Sequence, residues 1–256
     1  MTALAGRTAL VSGGASNLGL AISAHLGRAG ARVVAVSRDR SRLDDAVRTL
    51  SAEGIDVRAE QCDVGSESSV QALAETLHDE NISILVNNAG VPGPVAPLVD
   101  TTVADWEGVL RTNVLGVYLM CREFLPAMME AGDGDVINIA SVSGKRPLHN
   151  RTPYCASKMA VIGLTTTLAV EAGPRGVRVN TLSPGPVRGP RMERNFRLEA
   201  ELSGITVEKA EADFAGKAAM RRLLEEDEVG AAVVAMLAMT GLCGADIDLS
   251  AGMIAR

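Results

Sequence analysis

Aromatic residues are scarce in this chain: three Phe, two Tyr and one Trp among 256 residues. A core of that size has to be filled by Ala, Val, Leu, Ile and Met, a composition that suits helices packed closely on a parallel sheet. Cysteine and histidine are also few. Cys62, Cys121, Cys155 and Cys243 form no CxxC pair and match no zinc spacing. With only His25, His78 and His149 to join them, no metal site is expected. A secreted disulfide scaffold is not expected either, and the cysteines read as small buried hydrophobes. An excess of basic charge is missing: 25 Lys and Arg stand against 31 Asp and Glu, a net charge of −6. That balance argues against general electrostatic binding to nucleic acid or anionic lipid. The segment Met1 to Arg7 lacks the basic and apolar regions of a secretory signal. The longest uncharged stretch near the other end, Val229 to Ala245, is broken by Gly241 and Gly244, so no membrane span is expected. These absences make a soluble, cytoplasmic protein the expectation.

What is present is a regular alternation of short apolar runs and helical patterns. Strands are predicted at Thr8–Val11, Arg32–Val36, Val57–Cys62, Ile82–Val86, Asp135–Ile139, Val177–Leu182 and Ala245–Leu249. Helices are predicted at Leu18–Ala29, Arg42–Leu50, Ser66–Asp79, Ala104–Ala131, Pro153–Ala172 and Glu225–Met239. The long fourth helix is expected to be interrupted near Asn113 or Pro126. From Pro184 to about Leu224 the pattern is polar and irregular, in part helical. Alternation of this kind implies right-handed parallel βαβ units. The expected fold class is α/β: a single Rossmann-type domain over residues 1–256, with a doubly wound seven-stranded parallel sheet and helices on both faces. In such a sheet ligands lie beyond the carboxyl ends of the strands.

The first strand runs into Ser12-Gly13-Gly14-Ala15-Ser16-Asn17-Leu18-Gly19. Glycines after a strand and before a helix permit a tight turn, close backbone approach to a pyrophosphate, and a helix N-terminus aimed at it. Gly13, Ser16, Asn17, Leu18 and Gly19 are therefore candidate nucleotide-binding residues. Where the second strand ends, an acidic residue would accept bonds from the adenosine ribose; Ser37 and Arg38 stand there instead. A hydroxyl and a guanidinium suit a 2′-phosphate, favouring NADP over NAD, although Asp39 next to them is within reach of a ribose.

Tyr154-Cys-Ala-Ser-Lys158 puts Tyr and Lys at i and i+4 on one helix face, and Ser141 precedes Tyr154 by thirteen residues at the end of the fifth strand. Reduction of a carbonyl by hydride needs a proton donor at the developing alkoxide. Tyr154 is suited to donate it, the Lys158 ammonium favours the phenolate that is left, and Ser141 is suited to hold the substrate oxygen. A surface Tyr, a surface Lys and a loop Ser are the plainer alternative for the same residues.

Taken in order, Ser12-Gly13 to Gly19, Asp63-Val64, Asn87-Asn88-Ala89-Gly90, Asn113-Val114, Ser141, Tyr154 with Lys158, and Pro184-Gly185 resemble a classical short-chain dehydrogenase/reductase over essentially the whole chain. That resemblance, which extends to 3-oxoacyl reductase-like and other NADP-dependent members, implies a catalytic tetrad of Asn113, Ser141, Tyr154 and Lys158. It further implies an adenine contact at Asp63 with Val64 packed nearby and a cofactor groove lined by Asn88, Ala89 and Gly90. Asn113 would hold a water in a proton relay through Lys158, and Pro184, Gly185 and Val187 would lie against the nicotinamide. Two departures stand out. Asn17 occupies a position where the family usually has Gly, and Pro186-Val187-Arg188-Gly189 follows Gly185 where the family often places a Thr.

The same resemblance implies a substrate lid at about 187–219 and a homo-oligomer, tetramer or dimer, through the fourth and fifth predicted helices. The lid region carries Arg188, Arg191, Arg194 and Arg197, and the loop before Tyr154 carries Lys145, Arg146, His149 and Arg151. These cations read either as a pocket for an anionic carbonyl substrate or as solvated charges and subunit contacts, with Arg151 the strongest candidate for touching substrate. The expected activity is NAD(P)-dependent interconversion of a ketone and a secondary alcohol, with 3-oxoacyl, sugar or polyol, and small-ketone substrates all open. The alternatives are epimerisation of a nucleotide sugar, for which the chain is short, and a cofactor-binding redox sensor or scaffold without turnover.

Overall fold

The computed structural model describes residues 3–254. Seven strands form one sheet: β1 (Thr8–Ser12), β2 (Arg32–Ser37), β3 (Val57–Gln61), β4 (Ile82–Asn87), β5 (Gly134–Ile139), β6 (Val177–Pro184) and β7 (Asp246–Leu249). Every pairing is parallel and the order is β3-β2-β1-β4-β5-β6-β7. The order reverses between β1 and β4, which opens a crevice at their carboxyl ends. The middle strands are buried and largely apolar because helices cover both faces, with a few buried polar residues such as Asn87, Asp135 and Asn138 among them. The edges carry more exposed charge: β3 reads Val-Arg-Ala-Glu-Gln and is half-exposed, and β7 carries Asp246 and Asp248. Charge on an edge strand also discourages pairing with a second sheet.

On one face lie α1 (Asn17–Arg28), α2 (Arg40–Ala52) and α9 (Glu226–Ala238). Ile22, Leu26, Leu50 and Val233 pack there against Val11, Ile84 and Ile137. The opposite face carries α3 (Glu67–Thr76), α4 (Val103–Leu110), α5 (Gly116–Ala131) and α6 (Thr152–Ala172), with Val70, Met120, Phe124, Met128 and Val161 against Leu10, Leu85 and Val136. Each fully buried aliphatic side chain contributes about 2 kcal/mol of transfer free energy. The aromatic shortage is thus met by an aliphatic core with methionine as filler. The irregular region resolves into two helices, α7 (Pro190–Ser203) and α8 (Val207–Ala215), which share a small core of Met192, Phe196, Ala200, Ala210, Ala215 and Leu223. Phe196 and Phe214 meet edge to face at 5.8 Å.

The long fourth helix is interrupted at Asn113 and not at Pro126, which lies inside α5. Residues Arg111–Leu115 form a π-helical turn. The cysteine reading needs one correction. Cys62 and Cys121 are buried, but Cys155 is half-buried and Cys243 is exposed, because the latter sits in the turn between α9 and β7.

Candidate functional site

Most of the candidate site residues lie at or just beyond the carboxyl ends of strands, whereas Asn113 lies in the π-turn between α4 and α5 and Lys158 in the second turn of α6. The glycine turn leaves β1 with Gly13 in the left-handed region (φ +67°). A β-carbon on Gly19 would collide with the Gly13 carbonyl oxygen, so the turn closes only with glycine there. Asn17 takes φ +47°, the left-handed conformation that Asn tolerates better than other side chains. Ser16 stands at the N-cap of α1 with extended backbone and makes no side-chain cap. The first turn of α1, Leu18 included, therefore presents main-chain N–H groups of the kind that bind phosphate.

This turn is tied to the segment after β4. Ser12 Oγ accepts from the N–H groups of Asn88 and Ala89 at 3.0 and 3.1 Å. Asn88 Nδ2 donates to the carbonyls of Ser12 and Gly13 at 3.1 and 3.4 Å. One row below, the paired residues Asn87 and Asn138 join β4 to β5 through their amides at 2.9 Å, and Asn138 Nδ2 continues to Thr165 Oγ1 on α6 at 2.8 Å. A buried polar chain of this kind is costly unless satisfied, and it fixes the register of the two strands and the helix.

At the end of β2, Ser37 is half-buried and Arg38 exposed. Asp39 is committed elsewhere: its Oδ1 accepts from the Ser41 N–H, the Ser41 hydroxyl and the Arg42 N–H, capping α2. The Ser41 hydroxyl, then the Arg42 N–H, hold its carboxyl below the usual range. After β3, Asp63 Oδ1 accepts from the Gly65 N–H at 3.0 Å, and Val64 is buried.

Lys158 is buried in α6, with Nζ donating to the Ile139 carbonyl at 2.8 Å and lying 5.9 Å from the centre of the Tyr154 ring. Tyr154 is itself 8% exposed. Ser141 follows β5, and its Oγ accepts from the Ser143 N–H at 3.1 Å. A β-carbon on Gly90 would stand 3.3 Å from Asn113 Oδ1 and 3.6 Å from Lys158 Nζ, so the segment after β4, the π-turn and α6 converge at one point. The side chain of Asn113 is spent on that convergence. Oδ1 accepts from the Val91 N–H at 2.8 Å, and Nδ2 donates to the Val91 carbonyl and to Ser157 Oγ, both at 3.0 Å. Ser157, which donates to the Tyr154 carbonyl at 2.7 Å, had no role in the sequence reading. Its signal was a serine one residue before Lys158, on the helix that carries the Tyr154–Lys158 pair.

Gly185 donates its N–H to the Leu249 carbonyl at 2.7 Å, which fixes the Pro184-Gly185 turn on β7. Val187 forms a bridge with Leu224. A cleft of about 690 Å³ opens between these turns and α7 and α8. Ser141, Tyr154, Gly185 and Arg151 line it, with Phe196 and Phe214 on the far side. Arg151 donates Nη1 to the carbonyls of Pro92 and Gly93 at 3.3 and 3.2 Å and Nη2 to Asn195 Oδ1 on α7 at 3.2 Å. Sequence reasoning missed Asn195, because its partner lies forty-four positions away. Three other cations of the basic stretches are internally paired: Lys145 with Asp246 and Asp248, Arg188 with Glu211 and Glu225, and Arg197 with Glu193.

Known proteins share this architecture. The sequence model of the family described as short chain dehydrogenase matches residues 7–201. A D-threitol dehydrogenase of Mycolicibacterium smegmatis is 40% identical over 183 residues, covering 71% of this chain and 70% of that protein. The solved structure of an actinorhodin polyketide ketoreductase with NADPH is 29% identical, with a TM-score of 0.92 over 96% of this chain and 97% of that one. An NAD+-bound xylitol dehydrogenase is likewise 29% identical, with a TM-score of 0.91 over 96% and 98% of the two chains.

Proposed function

The chain belongs to the short-chain dehydrogenase family of oxidoreductases, and on that premise we propose that it interconverts a ketone and a secondary alcohol with NADP as hydride partner. The observation that carries this reading is that Ser141 and Tyr154 line one cleft, with the buried Lys158 Nζ 5.9 Å from the centre of the Tyr154 ring.

The residues fit a dinucleotide. Glycine at position 19 and an uncapped α1 leave room and N–H donors for a pyrophosphate, with Ser16, Asn17 and Leu18 around it. Ser37 and Arg38 would meet a 2′-phosphate, Asp63 and Val64 the adenine, and Asn88, Ala89 and Gly90 the groove floor. Pro184, Gly185 and Val187 would flank the nicotinamide. When bound, the nicotinamide supplies or accepts the hydride. In the reducing direction Tyr154 gives its phenolic proton to the carbonyl oxygen, and in the oxidising direction it takes the alcohol proton. Ser141 holds that oxygen by hydrogen bonding, and the Lys158 charge stabilises the phenolate. Asn113 keeps the wall in register and completes the tetrad. Residues 187–219 act as a lid that excludes water from the cleft.

NADP is favoured over NAD because Asp39, the nearest carboxylate, is held by the N-terminus of α2, whereas Arg38 is exposed beside the groove. A groove between α5 and α6, lined by Tyr118, Leu125, Leu164 and Leu168, supports assembly of identical chains through these helices. Among the described residues no helix is long and apolar enough to cross a membrane.

A panel of polyols, oxo acids and small ketones, followed by NADP(H) and NAD(H) absorbance, tests the reading. Activity with NADP(H) is expected, and Tyr154→Phe should lower kcat by about 10²–10⁴-fold with NADP binding retained. Unchanged turnover in that variant would remove Tyr154 as acid and base. Binding without turnover in the native protein would instead favour a sensor.

A further inference from the structure

We infer that Arg146 is an anion receptor of the substrate cleft, so that the ketone or alcohol taken by this chain carries a carboxylate or phosphate group. The inference rests on the oxidoreductase reading and specifies its substrate class.

Arg146 is half-buried in the cleft wall that also holds Ser141 and Tyr154. Its backbone is fixed, since the turn that begins at Ser141 closes by bonds from the Lys145 and Arg146 N–H groups to the Val142 carbonyl at 3.0 and 2.8 Å. The two neighbouring cations of that turn have opposite surroundings. Lys145 is 7% exposed and lies between Asp246, at 2.6 Å, and Asp248. Arg146, among the described residues, has no carboxylate partner. A partly desolvated guanidinium without a counter-charge is unfavourable until an anion reaches it. Its planar fork matches carboxylate and phosphate oxygens in pairs.

Across the cleft stands a second cation, Lys217, whose ammonium lies 5.0 Å over the Phe214 ring. Among the described residues the cleft's own acids form an ion pair with neither cation. Asp213 accepts from Lys209 Nζ at 2.6 Å and Glu199 from the Ser203 hydroxyl at 2.9 Å. Arg151 has its donors on main-chain carbonyls and Asn195, so the role expected of it as an anion contact falls to Arg146. A cationic cleft on a chain of net charge −6 also concentrates anions locally against the overall field. The cleft lining also includes Leu148, Met192 and Phe196, which gives apolar surface for a hydrocarbon body joining the ketone to its anionic group.

The test compares matched pairs with saturating NADPH: 3-oxo acids against their methyl esters, and dihydroxyacetone phosphate against dihydroxyacetone. The native enzyme is expected to favour the charged member of at least one pair by about tenfold or more in kcat/KM. Which pair responds distinguishes carboxylate from phosphate. Arg146→Gln should reduce that charged-to-neutral ratio about tenfold, mainly through KM, as expected for one charge-assisted contact. Arg146→Lys should restore part of it. A native ratio near one for both pairs, or a ratio unchanged in Arg146→Gln, overturns the inference. Should no ketone be reduced at all, the oxidoreductase reading fails separately. Calorimetric titration of a 3-oxo acid and of dihydroxyacetone phosphate into native and Arg146→Gln protein with NADP+ then decides. Weaker binding of either anion by the variant upholds the anion site, and equal binding or none removes it.

Discussion

Arg151 Nη2 lies 3.2 Å from Asn195 Oδ1, which ties the N-terminus of α6, three residues before Tyr154, to the helix that roofs the cleft. The same guanidinium reaches the carbonyls of Pro92 and Gly93 after β4. One side chain thus braces the floor, the wall and the roof of the site. Asn195→Ala removes only the roof contact. It is expected to lower kcat/KM on neutral and anionic substrates alike by about fivefold, for one lost hydrogen bond of about 1 kcal/mol. Limited proteolysis should become faster within residues 187–219. Arg151→Ala should show the same uniform loss, only larger. A KM rise confined to anionic substrates would put Arg151 itself on the anion.

Asn17, at φ +47°, stands where glycine would be unstrained. Asn17→Gly is expected to keep NADP affinity and thermal stability. Asn17→Val forces a branched side chain into the left-handed region at about 1–2 kcal/mol, and it should lower Tm and weaken NADP binding together. Differential scanning calorimetry and NADP titration check both. Native affinity in the valine variant would mean that the backbone of this turn does not hold the phosphate.

Arg38 and Asp39 are neighbours with different duties. Asp39 starts α2, and Arg38 uses its carbonyl to accept from Gln61 Nε2 at 2.9 Å, so its guanidinium is carried on a fixed backbone beside the groove. Arg38→Ala is expected to raise KM for NADPH about tenfold relative to that for NADH, an effect of about 1.4 kcal/mol from one phosphate contact. Steady-state kinetics with both cofactors measures it. An equal change for NADPH and NADH would detach Arg38 from the 2′-phosphate.

These three cases mark what the sequence could and could not disclose. The glycine turn, the strands and the Tyr154–Lys158 pair are local: a few adjacent residues set the backbone or share a helix face, and the chain spells them out. The π-turn at Asn113 is not local, because the amide that holds it bonds to Val91, twenty-two positions away. Either Asn113 or Pro126 had a local reason to break that helix, and only the tertiary bond distinguishes them. β3 was legible as a strand although it is not an apolar run, since an edge strand keeps one flank toward water. α7 and α8 were read only as a partly helical stretch without bounds because Met192, Phe196 and Phe214 pack on each other and not on the sheet, which gives a short and interrupted apolar pattern. Pairing decided the fate of the basic residues. Nothing in Lys145-Arg146 tells which of the two meets Asp246 and Asp248 across a hundred residues of chain.

The start of α9 carries the clearest acid dependence. Arg222 donates Nη1 to Glu228 Oε2 and Nη2 to Oε1, both at 2.6 Å, and the Glu225 N–H donates to Oε2 at 2.9 Å. The Arg222 bonds, and then the Glu225 N–H, hold the Glu228 carboxyl down to about 2 from an ordinary 4.5. A carboxylate whose folded pKa lies below its unfolded one adds stability above the unfolded value and loses it as pH falls toward the folded value. The window here is therefore pH 4.5 down to about 2. Both side chains keep roughly a third or more of their surface in water, 34% for Glu228 and 41% for Arg222. Solvent screening accordingly limits the contribution to about 1 kcal/mol. Neighbouring Glu226 has the opposite sign, its carboxyl pushed up by burial and then by Asp227 and Glu225, so total acid unfolding is a poor readout. The difference between native protein and Glu228→Gln isolates the pair. The variant should melt about 2–4 °C lower at pH 6, with the gap closing as pH drops through 4.5 toward 2. Two melting curves that stay parallel over that range would show that the Arg222 contact does not stabilise the folded chain.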